Sequence, residues 1–305
     1  MLGDPIAGGG DPDARDLPRN GAAAGRRRAL IGDPRNDENT IVSQLQGLFL
    51  RFHNRVVAEN PSLDFPAVQR IVRNHYQYVV LHDFLPRIVH STVLAALKTR
   101  GYYDPHKLKH YRFRNEPFMP VEFSVAAYRL GHSMVRPGYR LNDSVLLPIF
   151  PVPSENLPEG LTGFREMNPQ WGIDWGRFID LDVRAYDPPT DAEKAKRLQF
   201  AYRLDTSAVN PLSKLPPNVA GDLPLSLPLR NLLRGWRLGL PSGQSVADAM
   251  DIEPLCDEEI LLGKFVEKPE EGDIVGPITS IPGGEAFAGN CPLWTYILAE
   301  TRHFS

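Results

Sequence analysis

Apolar residues at Ile41, Val42, Leu45, Leu48, Phe49, Phe52 and Val56 recur at three- and four-residue intervals, which predicts an amphipathic helix over 37–60. Asn36 or Asp37 can cap it, and acidic residues in its first turn suit the helix dipole. The pattern breaks at Asn60–Pro61. Asp64 then caps a second helix with Pro66 near its first turn, running toward Leu85 through Val68, Ile71, Val72, His75 and Val79. Pro86 bounds it, with a kinked continuation through Ile88 to Leu97 as the alternative. The short linker between the two helices predicts an antiparallel pair.

Farther on, Phe123, Ala127, Leu130 and Met134 form one apolar stripe, with Val125, Tyr128 and His132 on a neighbouring face, and Pro137 ends the segment. One amphipathic helix is expected over 121–137. Residues 100–120, rich in Tyr, His, Lys and Arg, read as loop, and the run from Val145 to Phe150 reads as extended, able to form a short hairpin. Helical character is expected around Trp175 to Leu181, and loop over 187–195. Five prolines punctuate Asn210 to Pro228. Beyond them, Leu225 to Leu238 reads as a helix stopped by Gly239 and Pro241. Ser245–Met250, Cys256–Phe265 and Pro292–Thr301 are further helical stretches. The sum is a mainly α protein with long irregular Pro-rich connections and little strand, as one helical domain over 32–305 after a flexible lead-in over 1–31.

Composition changes this picture little. The 34 basic and 37 acidic residues nearly balance, so no strong field toward nucleic acid or a membrane follows. The Arg26-Arg27-Arg28 run reads as a solvated loop. Proline, at 29 of 305 residues, is about twice its ordinary usage. Cys256 and Cys291 form no C-x-x-C and set no redox compartment. No apolar run approaches the roughly 18–20 residues of a membrane helix. The first residues lack the basic and apolar regions of a secretory signal.

On spacing alone, His132 reads as a satisfied core histidine on a partly apolar helix. Three stretches change that reading. A-Y-R-L-G-H-S-M-V-R-P (127–137) resembles the proximal-histidine helix of the animal-type haem peroxidases, the myeloperoxidase and prostaglandin synthase superfamily, in a bacterial-type form. G-D-P-R-N-D-E-N (32–39) with F-L-R-F-H-N-R (49–55), and L-R-N-L-L-R-G-W-R-L-G-L-P (229–241), match the same family in its order. The resemblance runs from about Asp16 to about Leu298.

The resemblance implies haem b as cofactor, with His132 as the axial iron ligand and the opposite face open for peroxide. Asn231 occupies the position that accepts the other imidazole N–H and makes the ring a stronger donor; read alone, it would be a local helix contact. Arg35 is implied as the catalytic arginine on the peroxide side, stabilising charge as the O–O bond breaks. Glu38 matches the glutamate that can form an ester with a haem methyl. Read from spacing alone, Arg35 and Glu38 are an i, i+3 surface pair worth about 0.2–0.5 kcal/mol. Arg129 and Arg234 match positions where cations meet the haem propionates, or are ordinary surface arginines. His53 is placed in helix packing. His75, His82, His90, His106 and His110 lack the spacing of a helical zinc site.

The chain also departs from the family. The distal histidine, whose acid–base step is typically worth about 10² to 10⁴-fold, belongs upstream of Arg35, yet the first histidine here is His53. The aspartates flanking that histidine and a recognisable calcium loop are missing with it, so calcium is left open. Two explanations stand: a fragment of a longer peroxidase, which is preferred, or a reduced haem binder. The function expected is a haem-dependent peroxidase acting on hydrogen peroxide or a hydroperoxide with an unknown reducing substrate, with weak turnover, no nucleic-acid partner and no transmembrane segment. A haem-binding protein without catalysis and a cofactor-free helical interaction domain are the alternatives.

Overall fold

The computed structural model describes residues 2–21, 28–152, 159–180, 198–268 and 270–304. The loop expected at 187–195, Leu181, Arg26 and Arg27 lie outside these. The described chain is mainly helical, with three two-stranded antiparallel pairs. No described helix is long and apolar enough to cross a membrane. Where one domain is expected, the chain divides into two compact units: Met1–Asp83 with Pro137–Phe200, and Phe84–Arg136 with Ala201–Ser305.

In the first unit, Asp33 caps a 3₁₀ turn, Pro34–Asp37, and Asn39 caps the helix Thr40–Glu59 by accepting from the Ile41 N–H. The helix starts later than the apolar pattern implies because this turn takes the first residues. The second helix, Phe65–Val79, is capped by Asp64 as expected. It then widens into a π-helical turn, Val80–Phe84, and a short helix Leu85–Ile88 with Pro86 in its first turn, so the kinked continuation is realised only as far as Ile88; extended Val89 breaks it before a separate helix, Ser91–Ala96. The two long helices pack on each other, with Phe49 edge-on to Tyr76 and Phe52 to His75. The expected hairpin pairs Gly138–Arg140 with Leu146–Pro148.

Two buried amides lock the segment after it. The Gln44 amide donates to the Trp171 carbonyl and accepts from the Ile173 N–H. Asn142 donates to the Gln170 and Gly172 carbonyls and accepts from the Ser144 and Val145 N–H groups. Trp175–Arg177 forms only a single 3₁₀ turn, capped by Asp174.

The N-terminal stretch expected to be a flexible lead-in is instead tied into this unit. Leu17 is buried, and the Arg19 guanidinium is clamped between Asp16 and Asp37 by four contacts of 2.8–2.9 Å. Asp16 also accepts from the Leu17 and Met167 N–H groups. All three charged side chains are nearly inaccessible, so the triad is stable only as a set.

In the second unit the helix Leu293–Phe304 is central. Trp294 and Leu298 pack with Ala126, Leu130 and Leu232, while Tyr296 and Ala299 pack with Ala247, Ile260 and Ile278. Gly243 is required where its helix meets Tyr296, since a Cβ there would lie 1.9 Å from the ring. The expected helix Cys256–Phe265 is not formed. Leu261–Gly263 pairs as a strand with Ile274–Pro277, and Thr206 and Asp205 take the Gly263 and Phe265 N–H groups, satisfying the extended backbone.

The single helix expected over 121–137 is also broken. It is α-helical over Val121–Val125 and 3₁₀ over Ala127–His132, with the break at fully buried Ala126. The Trp294 indole N–H donates to the Arg129 carbonyl at 3.2 Å. The helix Leu227–Arg237 forms nearly as expected, capped by Ser226 and ended at Gly239 with φ +63°.

Removing Arg19 leaves two buried carboxylates facing each other. Arg19→Met is therefore expected to lower stability by about 3–5 kcal/mol in urea unfolding. An unchanged midpoint and slope would show that the N-terminal stretch is not part of this unit's folded core.

Candidate functional site

Helix geometry prepares the site in the second unit. In a 3₁₀ helix residues i and i+3 eclipse, so the Ala127–His132 turn brings Arg129 and His132 to one face. On the α-helix Leu227–Arg237, Asn231 and Arg234 share a face by the same i, i+3 relation. The two faces meet: the Asn231 side-chain amide lies 2.8 Å from His132 Nδ1, across 99 residues of sequence.

Asn231 is only 2% exposed, and one of its amide atoms, Oδ1, is buried without a partner when Nδ2 faces the imidazole. The two ends of a carboxamide are nearly the same shape, so the ring and the amide admit a second arrangement. With Oδ1 turned inward, His132 Nδ1–H donates to it and the lone pair of Nε2 is left free. Burial, reinforced by the positive charges of Arg129 and Arg234, pushes the His132 pKa down to about 4. The imidazole is therefore neutral at pH 7, the form that can bind a metal.

The two arginines make the site unusual. Arg129 Nε is buried without a hydrogen-bond partner, and burial together with Arg234 lowers the Arg129 pKa. Neither guanidinium has a carboxylate partner among the described residues. A neutral imidazole beside two uncompensated cations suits a ligand with a metal centre and anionic groups. No cluster of three metal-ligating side chains occurs among the described residues, so a metal held here needs its own ligand frame.

The other two candidates belong to the first unit. Arg35 lies in the 3₁₀ turn and pairs through two nitrogens with Asp33, Nη2 to Oδ2 at 2.6 Å and Nε to Oδ1 at 3.0 Å. Its side chain is 82% exposed, and its side-chain and backbone hydrogen bonds to Asp33, helped by its charge, pull the Asp33 pKa down to about 2. Glu38 is exposed, and its backbone rather than its carboxylate is engaged, the carbonyl accepting from the Gly163 N–H at 2.8 Å. The ion pair of Arg35 is thus with Asp33, two residues away, and not with Glu38. His53 packs its ring against Phe65 on the next helix.

Sequence reading missed Asp33 as the partner of Arg35 and Trp294 as the support of the Arg129 turn. Asp33 had a signal, since an Asp two residues before an Arg in a turn can accept both its N–H and its side chain. Trp294 had none, because it lies 165 residues from the carbonyl it meets.

The family description "animal haem peroxidase" matches residues 11–156. A peroxidase-like protein of Margaritifera margaritifera is 34% identical over 113 residues, which is 34% of this chain and 14% of that protein. Chorion peroxidase of Drosophila melanogaster is 32% identical over 120 residues, 37% of this chain and 15% of its own length. Thyroid peroxidase of Homo sapiens is 29% identical over 123 residues, 38% of this chain and 12% of its own. Peroxidase A from Dictyostelium discoideum shares the fold with TM-score 0.52 at 19% identity, over all of this chain and 56% of that one. The chain therefore spans well under two thirds of the relatives it matches. Its likeness to the animal haem peroxidases is thus established over residues 11–156.

Proposed function

We propose that this chain binds haem through His132 and serves in haem-dependent reduction of hydrogen peroxide or an organic hydroperoxide, with oxidation of a second substrate. The observation that carries this reading is the contact of half-buried His132 with buried Asn231, flanked by two arginines without carboxylate partners among the described residues. These residues fit haem in kind: a neutral imidazole for iron, an amide oxygen for the far N–H, and two cations for two propionates. When bound, haem would supply the oxidation–reduction chemistry.

Each residue has a physical task in this reading. His132 holds iron through Nε2, and Asn231 fixes the ring and its tautomer by accepting from Nδ1–H, which raises the donor strength of Nε2. Arg129 and Arg234 gain the negative partners they lack, and charge-assisted contacts of this kind are the strong ones. Arg35 is the candidate for a fixed positive charge on the peroxide side, and Glu38 for a carboxylate toward the cofactor. The bidentate hold of Asp33 on Arg35 favours a second reading, haem binding without efficient peroxide chemistry.

A haemin titration followed by the Soret band tests the proposal. A stoichiometric histidine-type spectrum that disappears in His132→Ala is expected; a folded chain with no specific uptake points to a cofactor-free helical domain. The double change Arg129→Gln/Arg234→Gln separates charge from folding. It is expected to weaken haemin binding about tenfold or more, from the loss of hydrogen bonds to charged groups worth about 1.5–3 kcal/mol. The thermal midpoint of the haem-free double variant should hold or rise, since a repulsion is removed. Equal haemin affinity would contradict the propionate role.

The pH dependence has a defined sign. His132 in the folded chain takes up its proton only near pH 4, whereas the unfolded chain takes it up near pH 6.5. Between these values the unfolded state binds more protons, so stability falls as pH drops. Compared with His132→Gln, the wild-type chain should lose more thermal stability between pH 6.5 and 4; parallel curves would show that His132 titrates normally.

A further inference from the structure

The near balance of charge over the whole chain conceals a local excess. Residues 98–119 carry six cations and two acids, a net +4, in a chain whose formal net charge is −3. Arg100, Lys107, Lys109, Arg112 and Arg114 are all exposed. Lys109, Arg112 and Arg114 have no ion pair or hydrogen bond among the described residues. Such a cluster repels itself, and Asp104 and Glu116 offset only two of its six positive charges.

Apolar side chains stand among these cations. Phe113, Phe118 and Met119 are 46%, 56% and 65% exposed, and Val121 and Phe123 follow them at the surface. They are held out by a closed loop and do not hang free. The Tyr111 hydroxyl accepts from the Phe118 N–H at 3.0 Å and donates to the Phe118 carbonyl at 2.8 Å, and its ring lies against both Phe113 and Phe118. Exposed aromatic and thioether side chains concentrated in one place mark a contact surface.

We propose that the Tyr111–Met119 loop docks on an anionic phospholipid surface, Phe113, Phe118 and Met119 entering the interface while Lys107, Lys109, Arg112 and Arg114 meet the headgroups. A bilayer interface takes projecting apolar tips without a matched cavity, and basic residues beside them are drawn to anionic lipid. The charge complementarity favours lipid over an uncharged partner. The haem-binding reading is independent of this surface.

The test is co-sedimentation of the full chain with vesicles of phosphatidylcholine alone and with about 30% phosphatidylserine. Binding to the anionic vesicles is expected, with at least a tenfold loss in Phe118→Ser/Met119→Ser and in Arg112→Gln/Arg114→Gln. Circular dichroism melts confirm that both variants are folded. Equal binding to both vesicle types, or none to either, would overturn the proposal. So would retention on single-stranded DNA or an acidic protein column without vesicle binding, since it would assign the cations to another class of partner. Undiminished vesicle binding by the variants would place the contact elsewhere.

Discussion

The 2.8 Å contact between the Asn231 amide and His132 Nδ1 is the constraint on which the candidate site depends. It holds together a 3₁₀ turn and an α-helix that are far apart in sequence, and it needs both in register. The turn is fixed from behind by the Trp294 indole on the Arg129 carbonyl, and Ala126 is buried at the break against Leu298. Because the 3₁₀ and α geometries each align residues three apart, one contact places two arginines as well. Positioning His132 thus positions Arg129 and Arg234.

Those arginines explain why the site reads as a place for a ligand. Folding ordinarily pairs a partly buried guanidinium, as it does for Arg19 between Asp16 and Asp37. Half-buried Arg129 has no such partner among the described residues, and the charge of the exposed Arg234 presses on it and, with it, on His132. Self-repulsion of this sort is tolerated where a bound anion offsets it. The contrast within one chain is informative, since the same residue type is clamped in one unit and left open in the other.

Much of this was legible in the sequence, and the failures have physical causes. The helix Leu227–Arg237 was readable because Ser226 caps it and Gly239 ends it, both local signals. His132, Asn231, Arg129 and Arg234 were singled out through motif resemblance, and the structure brings them near one another; periodicity alone favoured a core histidine. The break at Ala126 was not legible, because it is set by the distant helix Leu293–Phe304. The strand Leu261–Gly263 read as helix because its apolar residues fit either period, and only Thr206 and Asp205 decide between them. The first residues read as a free lead-in from their Gly, Pro and Asp content, while a salt bridge reaching from Arg19 to Asp37 ties them down.

The central claim is that His132 is a neutral imidazole whose Nδ1–H is held by Asn231, leaving Nε2 free. Nitrogen–proton correlation NMR on the histidine-labelled, haem-free chain tests it most directly, with His132 assigned by its loss in His132→Gln. The predicted result is a single tautomer protonated at Nδ1 and unchanged from pH 8 to pH 5.5. A ring protonated at Nε2, or one that titrates near pH 6.5, would contradict it.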